Sequence, residues 1–389
     1  MTKGKHSLNN AGEVGGEATA KRNPLLTVLK VAIFLVLALA IFFYANTAIG
    51  YEGSKQDKGA YKALDDLQED TVDVAVIGAS SVSRYYIAPK AYVDYGISSF
   101  VIGPPSTPVM FSDNIMQLIG ETQSPKVYVV ELRNILKGYG AVNEAAIRRT
   151  TDSISLLKKE RYDMIDEGLT TMRKHAEKGS YDDNRLDYLL PIVKYNSRLS
   201  EADNQDRVTV DELMLNGVYN YTQGFHFSSP TLTQAPQKTP TFYTEMGEVD
   251  DDTKEILDGV LEYCDSIDTP VLFTFSPLCA NEEQALKMNA VTAYVKSRGY
   301  ECLNFNTQQM SDAVGLDYSA DFYNNHHVNY LGAEKYTAYM SQYLIDNYDL
   351  PDHRGDSAYA AWEEGYKIYE DYVSDGIKHV SKSNVADEE

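Results

Sequence analysis

Five short apolar runs, each closed by Gly, Ser, Pro or a polar turn, constrain this chain most. They are "VDVAVIG" from Val72, "SSFVIG" from Ser98, "VYVVEL" from Val127, "VLFTFS" from Val271 and "CLNFN" from Cys302. Near-continuous apolar runs of this length suit strands buried on both faces, a demand that parallel sheets make and half-solvated antiparallel sheets do not. Helical patterns stand between several of them: "SDNIMQLIGET", "DDTKEILDGVLEYCDSI" and "NEEQALKMNAVTAYVKSRG". Strand–helix alternation of this kind predicts an α/β domain with a parallel, doubly wound sheet over residues 71–350. Ligands of such sheets bind outside the carboxyl ends of the strands, so the residues just after each run are where chemistry is expected.

One interval breaks the alternation. Residues 138–250 begin charged and helical, "AAIRRTTDSISLLKKERYDMIDEGLTTMRKH", and continue as a loop-like stretch rich in Tyr, Asn, Thr and Pro. An insertion between the third and fourth strands would form either a lid or substrate wall, or a helical subdomain that only packs. After the domain, residues 351–389 read as an amphipathic helix, "SAYAAWEEGYKIYEDYV", with Tyr and Trp on one face, and a frayed tail, "SKSNVADEE".

The N-terminal region reads differently. Residues 1–24 are polar without apolar periodicity and are expected to be a disordered tail. Residues 25–45, "LLTVLKVAIFLVLALAIFFYA", supply roughly 21 mostly apolar residues, the length a bilayer core requires. Lys30 is near enough to the end to snorkel, and Lys21 and Arg22 precede the run, which puts the N-terminus in the cytoplasm and the rest outside. A cleaved signal peptide would have a shorter apolar region and a small-residue cleavage site, and "YANTAIG" offers none, so an uncleaved single-pass anchor is the reading taken. Residues 46–70 then form a polar juxtamembrane linker.

Charge and cysteine content narrow the function. Acidic residues outnumber basic ones 57 to 35, and a formal charge of -22 repels phosphate backbones, which argues against nucleic acid as a partner. Three cysteines, Cys264, Cys279 and Cys302, are too few for a disulfide framework, although one pair, Cys279 with Cys302, remains open. Neither their number nor their spacing indicates a metal site, and no cofactor is expected.

The strand ends carry the chemistry. After the first run comes "GASSVSRYY", Gly78–Tyr86, where Ser80 opens a turn into a helix, either as an exposed nucleophile or as an ordinary N-cap. The second run ends at Gly103 in "VIGPPST" and the third in "ELRN", which ends at Asn134. A glycine lets a backbone N–H approach a ligand closely, and an asparagine amide can donate to a developing negative charge. Beyond the fifth run, "DFYNNHHVNYLGAEKYT" places His326 and His327 in a late loop, from which a histidine can reach back to Ser80 as general base. Asn329 is expected to cap a helix opening at Tyr330, with Ala333, Tyr336, Met340 and Leu344 on its buried face.

The order "GAS", "IG", "LRN" and "HVN" resembles the four blocks of the SGNH (GDSL-type) hydrolase superfamily over residues 72–345, and more narrowly its membrane-anchored members in bacterial envelopes. "YNSRLSE" from Tyr195 and "LPDHRGD" before the aromatic C-terminal helix are further family-like features. The resemblance implies a three-layer α/β/α fold and a serine esterase or acyltransferase acting on acyl groups, O-acetyl foremost, of an envelope polysaccharide. It makes Ser80 the nucleophile, His327 the base, and Ser80, Gly103 and Asn134 the oxyanion hole. It also implies a polytopic membrane acyltransferase as partner.

Two departures are written in the residues. Leu132 stands where the family's third block has glycine, and Asn324 stands three residues before His327, where the family has its acid. Either Asp321, three residues further upstream, substitutes for it, or a Ser80–His327 dyad suffices, or the site binds without reacting. The competing expectations are a catalytically degenerate glycan-binding protein of wall assembly and a D-alanyl transfer protein acting on teichoic acid.

Overall fold

The computed structural model describes residues 24–48, 60–195, 222–226 and 229–386. The tail expected at 1–24, save Pro24, lies outside them, as do residues 49–59 of the juxtamembrane segment and all of "YNSRLSE" after Tyr195.

The apolar N-terminal stretch is one helix, Pro24–Ala48, a little longer at each end than the expected 25–45. Its 25 residues span about 37 Å at 1.5 Å per residue, enough to cross a hydrocarbon core. Its mean hydropathy is 2.8 over Pro24–Asn46, and its side chains are almost all exposed, as a helix meeting lipid rather than a protein core would be.

The rest is an α/β domain on a five-stranded parallel sheet. The strands are β1 (Val74–Ile77), β2 (Ser99–Ile102), β3 (Val127–Glu131), β4 (Val271–Phe275) and β5 (Glu301–Asn304), in the order β2-β1-β3-β4-β5. Each falls within or beside one of the five apolar runs. Alternate residues feed two separate cores: Ala75, Ile77, Phe100, Val130 and Phe273 on one face, and Val74, Val76, Val101, Val129 and Leu272 on the other. That double burial is why the runs lack a polar alternation. The chain leaves β1 toward β2, then crosses back over β1 to β3, so the topological switch lies between β1 and β3. A crevice opens there at the carboxyl ends of the strands.

The edge of the sheet at β2 is covered. Val101 N–H donates to Gln223 O at 2.9 Å, and the indole of fully buried Trp362 donates to Ser99 O at 2.8 Å. Gly224, at φ 86°, lies so close that a Cβ there would stand 1.9 Å from Val101 O. Two distant segments thus occupy backbone groups that would otherwise template pairing with another chain. The C-terminal helix continues from Ala360 to Ala386, so most of the stretch expected to fray is helical.

The insertion after β3 holds helices Glu144–Thr151 and Lys159–His175, whose Ile147, Met164, Ile165 and Leu169 join the first core. Buried Arg148 organises its far side, donating to Glu144 at 2.8 Å and to Asp187 O at 2.9 Å while stacking over Tyr188 at 4.3 Å. This part packs; none of residues 138–195 lines the cavity described below. All three cysteines are free. The pairing of Cys279 with Cys302 is not made, because Cys302 belongs to the core on one sheet face and Cys279 packs against the core on the other.

Candidate active site

Ser80 is the first residue of a short helix, Ser80–Ser83, immediately after β1, which brings its hydroxyl to the carboxyl edge of the sheet. The turn is packed tightly from both sides. A Cβ on Gly78 would meet Glu131 Cβ at 2.9 Å, and one on Gly103 would meet Ala79 O at 2.6 Å. The Gly103 carbonyl accepts from Ser83 Oγ at 2.9 Å, tying the end of β2 to the nucleophile's helix. Glycine at 103 is therefore required by close approach.

His327 reaches Ser80 from the other end of the chain. Residues Phe322–Asn324 (β6) and His327–Val328 (β7) form a small antiparallel hairpin with Asn325 and His326 as its two-residue turn, and Asn324 is paired directly with His327. Behind it, buried Asn329 caps the helix Tyr330–Asn347, accepting from Leu331 N at 3.0 Å and Gly332 N at 3.2 Å while donating to Ala320 O at 2.7 Å. Ala333, Tyr336, Met340 and Leu344 are buried. The hairpin is thereby held at both ends, and His327 Nε2 stands 3.0 Å from Ser80 Oγ.

Asn324 occupies the third position of this relay: its Oδ1 lies 3.2 Å from His327 Nδ1. The same oxygen accepts the backbone N–H of His326 at 2.8 Å, and that contact fixes which end of the amide is oxygen. His327 Nδ1 must then carry the proton it donates to Asn324, leaving the Nε2 lone pair directed at Ser80. Asp321, the other candidate acid, does not reach the imidazole. It is 1% exposed and accepts from Lys335 Nζ at 2.6 Å and Asp317 N at 2.7 Å, which consumes it in bracing the loop.

The surroundings of His327 are cationic and aromatic. Tyr323 stacks on its ring at 5.5 Å and 6°, and the Tyr323 hydroxyl accepts from Arg84. Arg133 donates to Tyr85 Oη at 3.0 Å and to His326 O at 2.8 Å, and lies over the Tyr85 ring at 5.5 Å. Burial, then Arg133 and Arg84, pull the His327 imidazole down to about 2, so the resting base is neutral. Burial likewise pushes the Tyr85 phenol up to about 12, keeping it a neutral hydrogen-bonding strut.

Under the nucleophile lies a buried carboxylate. Glu131, 3% exposed at the end of β3, accepts from Ser81 Oγ, from Ser276 N at 3.1 Å and from Ser276 Oγ at 2.9 Å. It joins the ends of β1, β3 and β4 beneath Ser80. Asn134 lines the crevice on its far side, with Nδ2 donating to Thr107 O at 2.8 Å; a primary amide nitrogen retains a second hydrogen for another acceptor. A cavity of about 460 Å³ opens over these groups, bounded by Ser80, Asn134, Arg133, Lys137, Leu278 and His327 among others.

Ser80, His327, Asn324 and Asn134 are thus brought to one crevice, with Gly103 packed against its floor, whereas Asp321 is held apart. Arg84, Arg133, Tyr85, Tyr323 and Glu131 were given no role from the sequence. Their signal was there, since all but Tyr323 lie in the stretches that close the first and third strands, and Tyr323 precedes Asn324. Among the described residues no group of three His, Cys, Asp or Glu side chains is arranged to hold a metal ion.

Comparison with protein-family models finds no match to this chain, and comparison with curated proteins finds none either. The description that stands without them is an α/β protein on a five-stranded parallel sheet, with one N-terminal helix long and apolar enough to span a membrane.

Proposed function

We propose that this chain is a membrane-tethered esterase or acyltransferase of SGNH type, with a three-layer α/β/α domain outside the cytoplasmic membrane. Its substrate would be an O-acyl group, O-acetyl foremost, on an envelope polysaccharide. The observation that carries the reading is Ser80 Oγ at 3.0 Å from a histidine nitrogen whose lone pair faces it. Ser80 Oγ attacks the acyl carbonyl carbon while its proton passes to His327 Nε2, and the oxyanion falls to the N–H groups of Ser80, Gly103 and Asn134. Collapse breaks the ester C–O bond, and the departing alkoxide takes the proton from His327. Water or a sugar hydroxyl then attacks the acyl-serine in the reverse sense, giving free acid or a new ester. Transfer would draw its acyl donor from a polytopic membrane partner, and Lys21, Arg22 and Lys30 support a cytoplasmic N-terminus.

Two observations favour a second reading, a glycan-binding protein that no longer turns over: a neutral Asn324 behind His327, and cations beside an imidazole that must become charged. A D-alanyl cargo is disfavoured on charge, since its ammonium would face Arg133 and Lys137 in the cavity wall. Fluorophosphonate labelling of the full-length chain in non-ionic detergent separates the first two. Labelling of wild type and not of Ser80→Ala supports the enzyme; equal background labelling of both folded proteins supports binding alone.

A further inference from the structure

The cavity over Ser80 carries a charge opposite to that of the protein around it. The chain has a formal charge of -22, yet the charged side chains lining the cavity are Arg133, Lys137, Lys287 and a single acid, Glu283. Lys287 is neutralised by Asp250 at 2.7 Å. Arg133 and Lys137 are not: among the described residues neither makes an ion pair with a carboxylate. Only one terminal nitrogen of Arg133 is engaged by protein acceptors, a phenol and a backbone carbonyl, and the rest of its fork is uncommitted. Arg84 stands behind the same histidine with its buried Nε facing no hydrogen-bond partner among the described residues.

Arg133 and Arg84 stand beside a base that must itself become positive, and they work against the proton transfer that the site requires. An anion in the cavity would form charge-assisted hydrogen bonds with Arg133 and Lys137 and would offset the pull of Arg133 on His327. Burial lowers the free imidazole first and Arg133 and Arg84 second, and the second part is what an anion would relieve. A neutral acetylated glycan supplies no such anion.

We infer that the acyl-bearing substrate is an anionic saccharide or polyol chain, with a carboxylate or phosphodiester near the acylated hydroxyl seated against Arg133 and Lys137. This rests on the acyl-transfer reading above and specifies the substrate class of the same site. The anion would then perform two tasks, fixing the hydroxyl's position and supplying the negative charge that Asn324 does not. Uronic acid and phosphodiester polymers share this chemistry, so both are tested.

The test uses the full-length chain in non-ionic detergent and esters matched except in charge. These are O-acetyl glucuronate against its methyl ester, and O-acetyl glycerol 3-phosphate against O-acetyl glycerol. The inference expects kcat/KM to favour the anionic member of at least one pair by about tenfold or more, declining with added salt. Lys137→Glu should reduce that ratio to within about twofold, and Lys137→Arg should keep it; a ratio between two substrates is unaffected by partial loss of folded protein. Which pair responds says whether carboxylate or phosphate is the natural group. Turnover of both members at ratios near one, dependent on Ser80, overturns the inference and leaves the esterase standing. If no ester is turned over, the proposed enzyme fails, and calorimetry with glucuronate and glycerol 3-phosphate decides the inference separately. Binding to wild type that Lys137→Glu abolishes supports it, and absence of binding overturns it.

Discussion

Asn324 Oδ1 and His327 Nδ1 are 3.2 Å apart across a two-residue hairpin turn, and the backbone N–H of His326 fixes the amide so that its oxygen faces the ring. The residue three positions before His327 therefore performs one of the two tasks of a triad acid. A carboxylate behind a catalytic histidine selects the tautomer and stabilises the imidazolium, and its loss is most damaging when the wrong tautomer results, on the order of 10⁴ in turnover. Here the tautomer is right and only the charge is missing.

Restoring the charge should therefore help. Asn324→Asp replaces a neutral acceptor by an ionised one, a difference of about 1.5–3 kcal/mol when the partner becomes charged. Its kcat/KM on a small acetyl ester is expected to rise about 10- to 100-fold over wild type. An unchanged rate in a folded variant would show that imidazolium stability does not limit the reaction.

The pH profile follows from the same residue. A base is lost as pH falls through its own pKa, and burial with Arg133 and Arg84 holds that of His327 near 2. For a neutral ester, wild-type kcat/KM should stay level from about pH 4 to 8. In Asn324→Asp the new carboxylate raises the imidazole by about 1–3 pH units, so an acid limb should move upward into the range of about pH 3–5. A wild-type limb already there would mean that the cations are screened from the ring.

Glu131 should matter to stability before it matters to rate. Its carboxylate satisfies the buried hydroxyls of Ser81 and Ser276 and the Ser276 N–H, and its loss strands those donors. Glu131→Ala is expected to cost about 3–5 kcal/mol in denaturant unfolding, and Glu131→Gln, which keeps one acceptor oxygen, about 1–3 kcal/mol. Equal losses would place the cost in packing volume rather than in the hydrogen bonds.

Gly103→Ala probes the floor of the crevice. The added methyl would stand 2.6 Å from Ala79 O and 2.8 Å from Val82 Cγ2, and the first of these is backbone next to Ser80. Overpacking of this kind costs about 1–3 kcal/mol, and esterase activity should fall in the fraction that remains folded. Full activity at unchanged stability would show that the turn after β1 yields freely.

Much of the fold was legible because burial on both faces leaves a direct trace in composition: Val74–Ile77, Val127–Glu131 and Val271–Phe275 are apolar without alternation, with only Glu131 and Thr274 as exceptions. His327 was separable from His326 through the resemblance, whose "HVN" block it opens, and the hairpin and helix cap that place it are local structures. Asp321 was not excluded in the same way, since its commitment to Lys335 depends on how the loop folds back on the following helix. The cations around His327 were invisible for a related reason. Arg84, Arg133 and His327 are joined by the order of strands in the sheet, which no short-range pattern records. The end of the C-terminal helix was misplaced because a run of Ser, Lys, Asn and Asp has weak propensity for any state, and the helix nevertheless continues to Ala386.

The central claim is that Ser80, activated by His327, accepts an acyl group. It is tested most directly by rapid quenching of the full-length chain with 4-nitrophenyl acetate, followed by mass analysis of the peptide carrying Ser80. The account predicts a single acetyl group on Ser80, formed in a burst with nitrophenol release, absent in Ser80→Ala and strongly slowed in His327→Ala. An unmodified Ser80 peptide with no burst, from a folded wild-type protein that also resists fluorophosphonate, would contradict it.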